Sequence, residues 1–245
     1  MEDYVIKNKK QLRYGITTGT CAAAAASAAA ELLITGIKKE FVVVKTPKGK
    51  DINVKVNFCY GHENEAEFMV IKDSGDDPDV TNHSEIHVKV EKTEFVKGNV
   101  FKDENYKNIF LDGGTGVGRV TKKGLEQDMG YAAINAVPRS MIFKAVGEVC
   151  QREDYRGCVK VTVIVPEGER LALKTFNPRL GIMGGISILG TSGILEPMSE
   201  KAIVDTIETE MRQLRALGNE SILVTPGNYG RGYVSNYLGF DMNKS

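Results

Sequence analysis

The stretch "KDSGDDPD", residues 72–79, crowds four carboxylates, Asp73, Asp76, Asp77 and Asp79, into one loop. Ionised carboxylates this close repel one another, so some are held above their ordinary pKa unless cations or amide donors intervene. A carboxylate with a raised pKa suits general-base work, and Asp76 and Asp77 are the candidate catalytic residues. The spacing does not follow the EF-hand template and no Glu closes the loop. The plain alternative is an acidic turn set by Gly75 and Pro78.

Glycines supply the second kind of chemistry. In "DGGTGVGRVTKKG" (112–124), Gly113, Gly114, Gly116 and Gly118 follow a strand-like run, a pattern that lets backbone approach a ligand closely. Arg119, Lys122 and Lys123 stand by for anionic groups. No Gly-Lys-Ser/Thr follows, so this is not a P-loop, and the spacing is not a dinucleotide fingerprint. "GGISILGTSG" (184–193) is a second such loop, ending in Gly190, Thr191, Ser192 and Gly193.

"TTGTC" (17–21) opens a run of eight alanines broken by one serine. A helix amino end offers free amides and partial positive charge, worth about 0.3–2 kcal/mol to an anion, enough to orient a ligand. Thr17, Thr18 and Thr20 are therefore candidates for substrate contact, against the alternative of a capped structural helix. Cys59-x-x-His62, with His83 and His87, has the residue types of a zinc site. His87 alternates along a strand and His83 sits in a polar loop, so nothing in the sequence brings the four together, and no metal is expected.

These residues need elements to hold them. The alanine run reads as a helix from about Thr18–Thr20 to a left-handed cap at Gly36. Residues 41–47 and 51–58 read as a β-hairpin, and 65–73, 85–95, 108–114 and 158–168 as further strands. Pro138 opens a helix through residue 151. After several glycine-cut apolar runs comes an amphipathic helix at 199–218, a buried strand at 221–230, and a helix from Tyr233. The fold class expected is α/β: an α+β domain over 1–195, then the beginning of a Rossmann-like α/β domain over 196–245.

The chain has 245 residues, with 32 basic and 32 acidic side chains and no net charge. That balance argues against nucleic-acid binding by bulk charge. Four cysteines without a CxxC pair fit a reducing, cytoplasmic setting. Lys7, Lys9, Lys10 and Arg13 before the alanine run resemble a signal peptide, but Glu31 interrupts the apolar window, and neither a leader nor a membrane span is expected. An oligomer is left open.

Four segments, in order, carry a likeness to one family: "RYGITTGTCAAAAASAAAELL", "KDSGDDPDVTN", "LDGGTGVGRVTKKGL" with "NAVPRSMI", and "FNPRLGIMGGISILGTSGILEPMSEKA". This ordered set resembles the CbiD family, the cobalt-precorrin-5B C-1 methyltransferases of anaerobic cobalamin biosynthesis. The chain departs from the family pattern at Ala136, where the family has proline, and in "VTNHSE", where Thr-His is usual. The family also continues past "SNYLGFD", so the second domain is expected only to begin here. The resemblance implies an S-adenosylmethionine-dependent methyl transfer to a ring carbon of a corrinoid. It suggests Arg119, Arg139 and Arg179 for the substrate's carboxylate arms. Gly113, Gly114, Gly116, Gly190, Thr191, Ser192 and Gly193 are then the candidates for the cofactor. The alternatives are a tetrapyrrole-binding or scaffold protein without turnover, and a nucleotide-dependent phosphotransferase.

Overall fold

The computed structural model describes residues 4–224, 227–237 and 239. β1 (Tyr4–Lys7) and β2 (Lys10–Arg13) form a hairpin that the sequence did not announce, and β3 (Gly15–Ile16) leads into α1 (Thr18–Thr35). β4 (Phe41–Lys45) and β5 (Asp51–Lys55) pair as the expected hairpin. Then follow β6 (Asn57–Gly61), β7 (Glu65–Ile71), β8 (Glu85–Thr93) and β9 (Ile109–Gly113). The short strands β10 (Gly116–Val117) and β11 (Arg119–Val120) precede α2 (Ala136–Arg152) and β12 (Cys158–Ile164). α3 (Gly168–Ala172), β13 (Ile182–Met183), β14 (Gly185–Ile186) and β15 (Ile194–Leu195) come next, then α4 (Glu200–Ala216) and α5 (Gly227–Tyr237).

Five strands build the main sheet in the order β6-β7-β8-β12-β9, antiparallel except for the parallel β12–β9 pair. The strand expected over 51–58 is in fact two. β5 stays with β4, and β6 leaves to edge the main sheet. Both halves alternate in polarity, so the break at Val56 leaves no mark in the pattern. One face of the sheet, with Phe68, Val70, Ile86, Val88, Val161 and Leu111 fully or almost fully buried, forms the core. The other carries Glu65, Glu67, His87, Lys89, Glu91 and Lys160, all half-buried, as period-two alternation requires.

α1 packs against β7, β8, β4 and α2. Thr17 caps it in extended geometry, its Oγ1 accepting the Thr20 N–H at 3.2 Å, and Gly36 at φ 75° closes it by donating to Leu32 O. Each of the eight alanines is at 0% exposure. Small side chains let the helix lie close to neighbours on several sides at once, which a stripe of leucines would prevent. By length and composition α1 could cross a membrane, but 78% of it is buried inside the protein, the setting of a core helix. Its one buried charge, Glu31, pairs with Arg152 at the end of α2 and with Lys39. Burial works to raise this carboxyl, and the two cations outweigh it, leaving the pKa below the ordinary value.

α2 begins at Ala136, two residues before the expected start at Pro138. Pro138 thus falls within the first turn, where the missing N–H costs no helical bond. The side chain of Asn135 makes no cap bond. Glu126 accepts the Ala136 N–H instead.

The chain divides into two compact units, residues 1–122 with 126–199, and residues 123–125 with 200–245. Among its described residues the second unit holds α4 and α5 and no strand. The strand expected at 221–230 is not formed: 221–224 have no regular structure, 225 and 226 lie outside the described residues, and helix begins at Gly227. A buried strand needs a hydrogen-bonded neighbour on its edge, and among the described residues none pairs with this segment. Ile222, Leu223 and Val224 are accordingly exposed. The helix expected from Tyr233 starts six residues early; its expected last residues, 240 and 241, lie outside the described ones.

Candidate active site

β3 and the turn that follows it gather three of the motifs. Ile16 donates its N–H to Asp73 O, and β3 pairs with β15 at Ile16↔Ile194 and Gly15↔Leu195. The aspartate loop and the "GTSG" loop therefore flank the amino end of α1. Gly15 and Ser74 touch so closely that a Cβ on Gly15 would lie 2.1 Å from the Ser74 carbonyl carbon.

Within the loop each carboxylate has a separate fate. Asp73 binds the Arg13 guanidinium through both oxygens at 2.7 Å, which with the Gly75 N–H holds its pKa down against burial. Asp76, exposed, accepts the Arg13 N–H at 2.6 Å. Asp79 meets the Lys72 ammonium at 2.7 Å and the N–H and O–H of Thr81. Burial pushes Asp79 up, and Lys72 with Thr81 brings it below the ordinary value. Lys72 is 1% exposed and also bonds Ser74 Oγ. Among the described residues Asp77 has no cation in contact; it accepts the Met198 N–H at 3.1 Å. Burial, then the neighbouring Asp79 charge, leaves its pKa raised.

The threonine hydroxyls face the protein itself. Thr18 Oγ1 donates to Leu189 O at 3.1 Å and accepts from Leu189 N at 2.9 Å, while Thr20 Oγ1 donates to Gly193 O at 2.6 Å. Thr17 and Gly19 give their N–H groups to Gly193 O and Leu189 O. All three threonines are buried. The expectation that they touch substrate thus meets a helix end already occupied by the chain's own carbonyls. Their visible work is to fasten the loop.

The glycines behave similarly. Cβ atoms on Gly113 and Gly114 would meet Val117 and Ile164, and those on Gly190 and Gly193 would meet Thr17 and Thr46. Gly116 lies against Val165 O, where a Cβ would come within 1.8 Å, and Gly168 and Gly185 press on Gly116 O from elsewhere. The space beside these glycines is taken by side chains of the same protein and, at Gly116, by its backbone, so their small size serves internal packing. Ser192 Oγ turns back to Ile194 O at 2.6 Å, and Thr191 is exposed.

Arg119 is bound to Asp112 at 2.8 Å and to Gly113 O at 2.7 Å. Arg139 is bound to Glu126 and Ile134 O, and lies 4.5 Å above the Phe101 ring. Arg179 is exposed, and among the described residues its guanidinium has no ion pair. Two shallow hollows lie elsewhere, one lined by Tyr106, Gly147 and Tyr155, another by Leu33, Phe58 and His62.

Sequence reasoning missed two things. One is the Arg13 and Lys72 cations that sort the aspartates, for which the lysine heading the loop was the available signal. The other is a cluster of Cys59, Glu67 and His87, whose possible ligand atoms lie within 4.8 Å of one another. It takes in two of the four residues first considered for zinc. His62 instead lies beside Tyr60, and His83 occupies a positive-φ turn.

The ordered motifs can now be set against known proteins. The CbiD family model matches residues 5–197. The chain belongs to the CbiD family. A CbiD relative from Ruminiclostridium cellulolyticum, named cobalt-precorrin-5B C(1)-methyltransferase, is 47% identical over 244 residues, covering 100% of this chain and 60% of that protein. One of the same name from Thermoanaerobacter sp. is 46% identical and is covered to 67%. The crystal structure of the cobalamin biosynthesis protein CbiD from Archaeoglobus fulgidus superposes with a TM-score of 0.58 at 30% identity, over 97% of this chain and 71% of that one. The chain thus spans about three-fifths to two-thirds of the length of these curated CbiD relatives.

Proposed function

We propose that this protein acts in the cytoplasm as an S-adenosylmethionine-dependent methyltransferase on C-1 of cobalt-precorrin-5B, as the names of its relatives suggest. The observation that carries this reading is identity of 46–47% spread over the entire chain to proteins of that name. S-adenosylmethionine supplies an electrophilic methyl group. At the glycine positions the space beside the backbone is taken by protein.

The chain's own contribution is drawn from the aspartate loop. Asp77 is the carboxylate there with a raised pKa and, among the described residues, no cation in contact, the state a general base needs. Asp76 caps Arg13 and so positions the loop. Thr17, Thr18 and Thr20 lock the "GTSG" loop to the head of α1, Arg119 braces the first glycine segment, and Arg139 holds Glu126 and Ile134 O. Arg179, exposed and without an ion partner, is the arginine available to a substrate carboxylate arm.

The test incubates the purified chain with S-adenosylmethionine and cobalt-precorrin-5B and follows the corrinoid by mass spectrometry. One added methyl group supports the reading; binding of the corrinoid with no methylation favours the scaffold role. Asp77→Asn is expected to lower methylation by about 10²–10⁴-fold. Because burial penalises the charged Asp77, the neutral variant should be at least as stable as the wild type at pH 7. Unchanged methylation would remove Asp77 from the mechanism.

A further inference from the structure

We infer that Cys59, Glu67 and His87 form a binding site for a borderline divalent transition-metal ion of the Zn²⁺ type, with Glu85 orienting the imidazole. The three side chains come from neighbouring strands β6, β7 and β8, on the sheet face turned away from α1. Glu67 lies diagonal to His87, since His87 pairs with Met69 and Glu67 with Lys89. Cys59 reaches the same place through an irregularity. The β6–β7 register slips between Phe58 and Tyr60, so Cys59 is an extra residue with no partner across the ladder. Bulges of this kind re-aim one side chain at the expense of one ladder position.

The distances suit a chelate. Cys59 Sγ is 3.7 Å from His87 Nδ1, and Glu67 Oε1 is 2.8 Å from the same nitrogen. Ligands at 2.0–2.3 Å from a tetrahedral ion stand about 3.3–3.6 Å apart, so sulfur and nitrogen are nearly placed and the carboxylate swings out slightly. The far nitrogen, His87 Nε2, lies 3.1 Å from Glu85 Oε2. A carboxylate behind the ring is the usual support of a metal-bound histidine, because it fixes the proton on the outer nitrogen and frees the inner lone pair. The inner nitrogen then faces the Glu67 carboxylate and the Cys59 sulfur, the place a cation would occupy. On metal binding the Cys59 thiol proton, and any proton on the inner nitrogen, leave to solvent.

The surroundings agree. The carboxylates lie on both sides of the ring, Glu67 against the inner nitrogen and Glu85 against the outer one, so a cation here meets negative charge. A Cys, His and carboxylate set selects Zn²⁺ or Co²⁺ over Mg²⁺ or Ca²⁺, which take oxygen ligands. His87 and Glu67 keep 16% and 15% of their side chains exposed, which leaves the fourth position open to water or another ligand.

Titration of the full chain with Co²⁺ under reducing, anaerobic conditions tests this without methyl donor or corrinoid. The expected result is binding of one equivalent, with a thiolate-to-cobalt absorption band that Zn²⁺ abolishes. Cys59→Ser, near-isosteric at a half-buried position, should lose the band with the fold intact by circular dichroism. Glu85→Gln should keep the band and weaken affinity about 10–100-fold, the effect of removing a support behind the ligand. No band in the wild type, or the same band in Cys59→Ser, overturns the assignment. Loss of fold in His87→Gln would leave Cys59→Ser to decide.

Discussion

Four aspartates of one loop end with four different sets of hydrogen-bond partners, each within 3.1 Å. Asp79 and Lys72 form a buried pair. Asp79→Asn leaves the ammonium buried and unpaired, so a loss of about 3–5 kcal/mol in urea unfolding is expected. The depressed carboxyls give the pH dependence its sign. Asp73, Asp79 and Glu31 have folded pKa values below their unfolded ones. Their stabilisation is complete above the unfolded pKa and disappears as pH falls through the folded one. Stability should therefore drop on acidification below about pH 4, where unfolded carboxylates begin to bind protons. A midpoint unchanged between pH 5 and pH 3 would contradict this. That the loop needed cations was legible from its crowding alone. Arg13 was not, because it lies 60 residues away from Asp73 in the chain and arrives only when β3 pairs alongside.

Among the elements, α1 shows best what sequence does and does not disclose. Its threonine cap and glycine stop are local signals and mark the ends within a residue of where they fall. Its alanines let a backbone or a flat ligand come close, and the sheet and α2 are what occupy the space. Ala25→Leu forces added methylenes into a site with no exposure and should cost about 1–3 kcal/mol or more by denaturant unfolding. Ser27→Ala, at the half-exposed break in the run, should stay within about 0.5 kcal/mol. Equal effects would mean the helix is not packed on all sides. The bulge at Cys59 left no trace in the pattern, since an inserted residue preserves the polar character of its neighbours. For the same reason zinc-like spacing was sought along the chain and found across strands.

At the scale of the whole chain, the two units differ in what they bury. The first closes a continuous core around α1 and the main sheet. In the second, the apolar face of α4 is open, with Ile203 and Val204 exposed to 63% and 60%. Amides protected only by solvent-facing helical bonds exchange through local opening, while core amides wait for global unfolding. Hydrogen exchange followed by mass spectrometry should therefore label α4 well before α1; equal protection would overturn this. The periodicity of α4 identified the helix correctly. It could not supply the neighbours that would turn 221–230 into a strand, since those are a matter of what stands alongside and not of the segment itself.

The Glu31 contact at the margin of this core sets where α1 lies along its axis. A rod studded with identical methyl groups presents nearly the same relief after every turn, so it could slide along its bed by a pitch and fit almost as well. The lone carboxylate, caught between Arg152 and Lys39, can occupy only one of those settings. It acts as a key in a shaft, removing a degeneracy that the alanines themselves create.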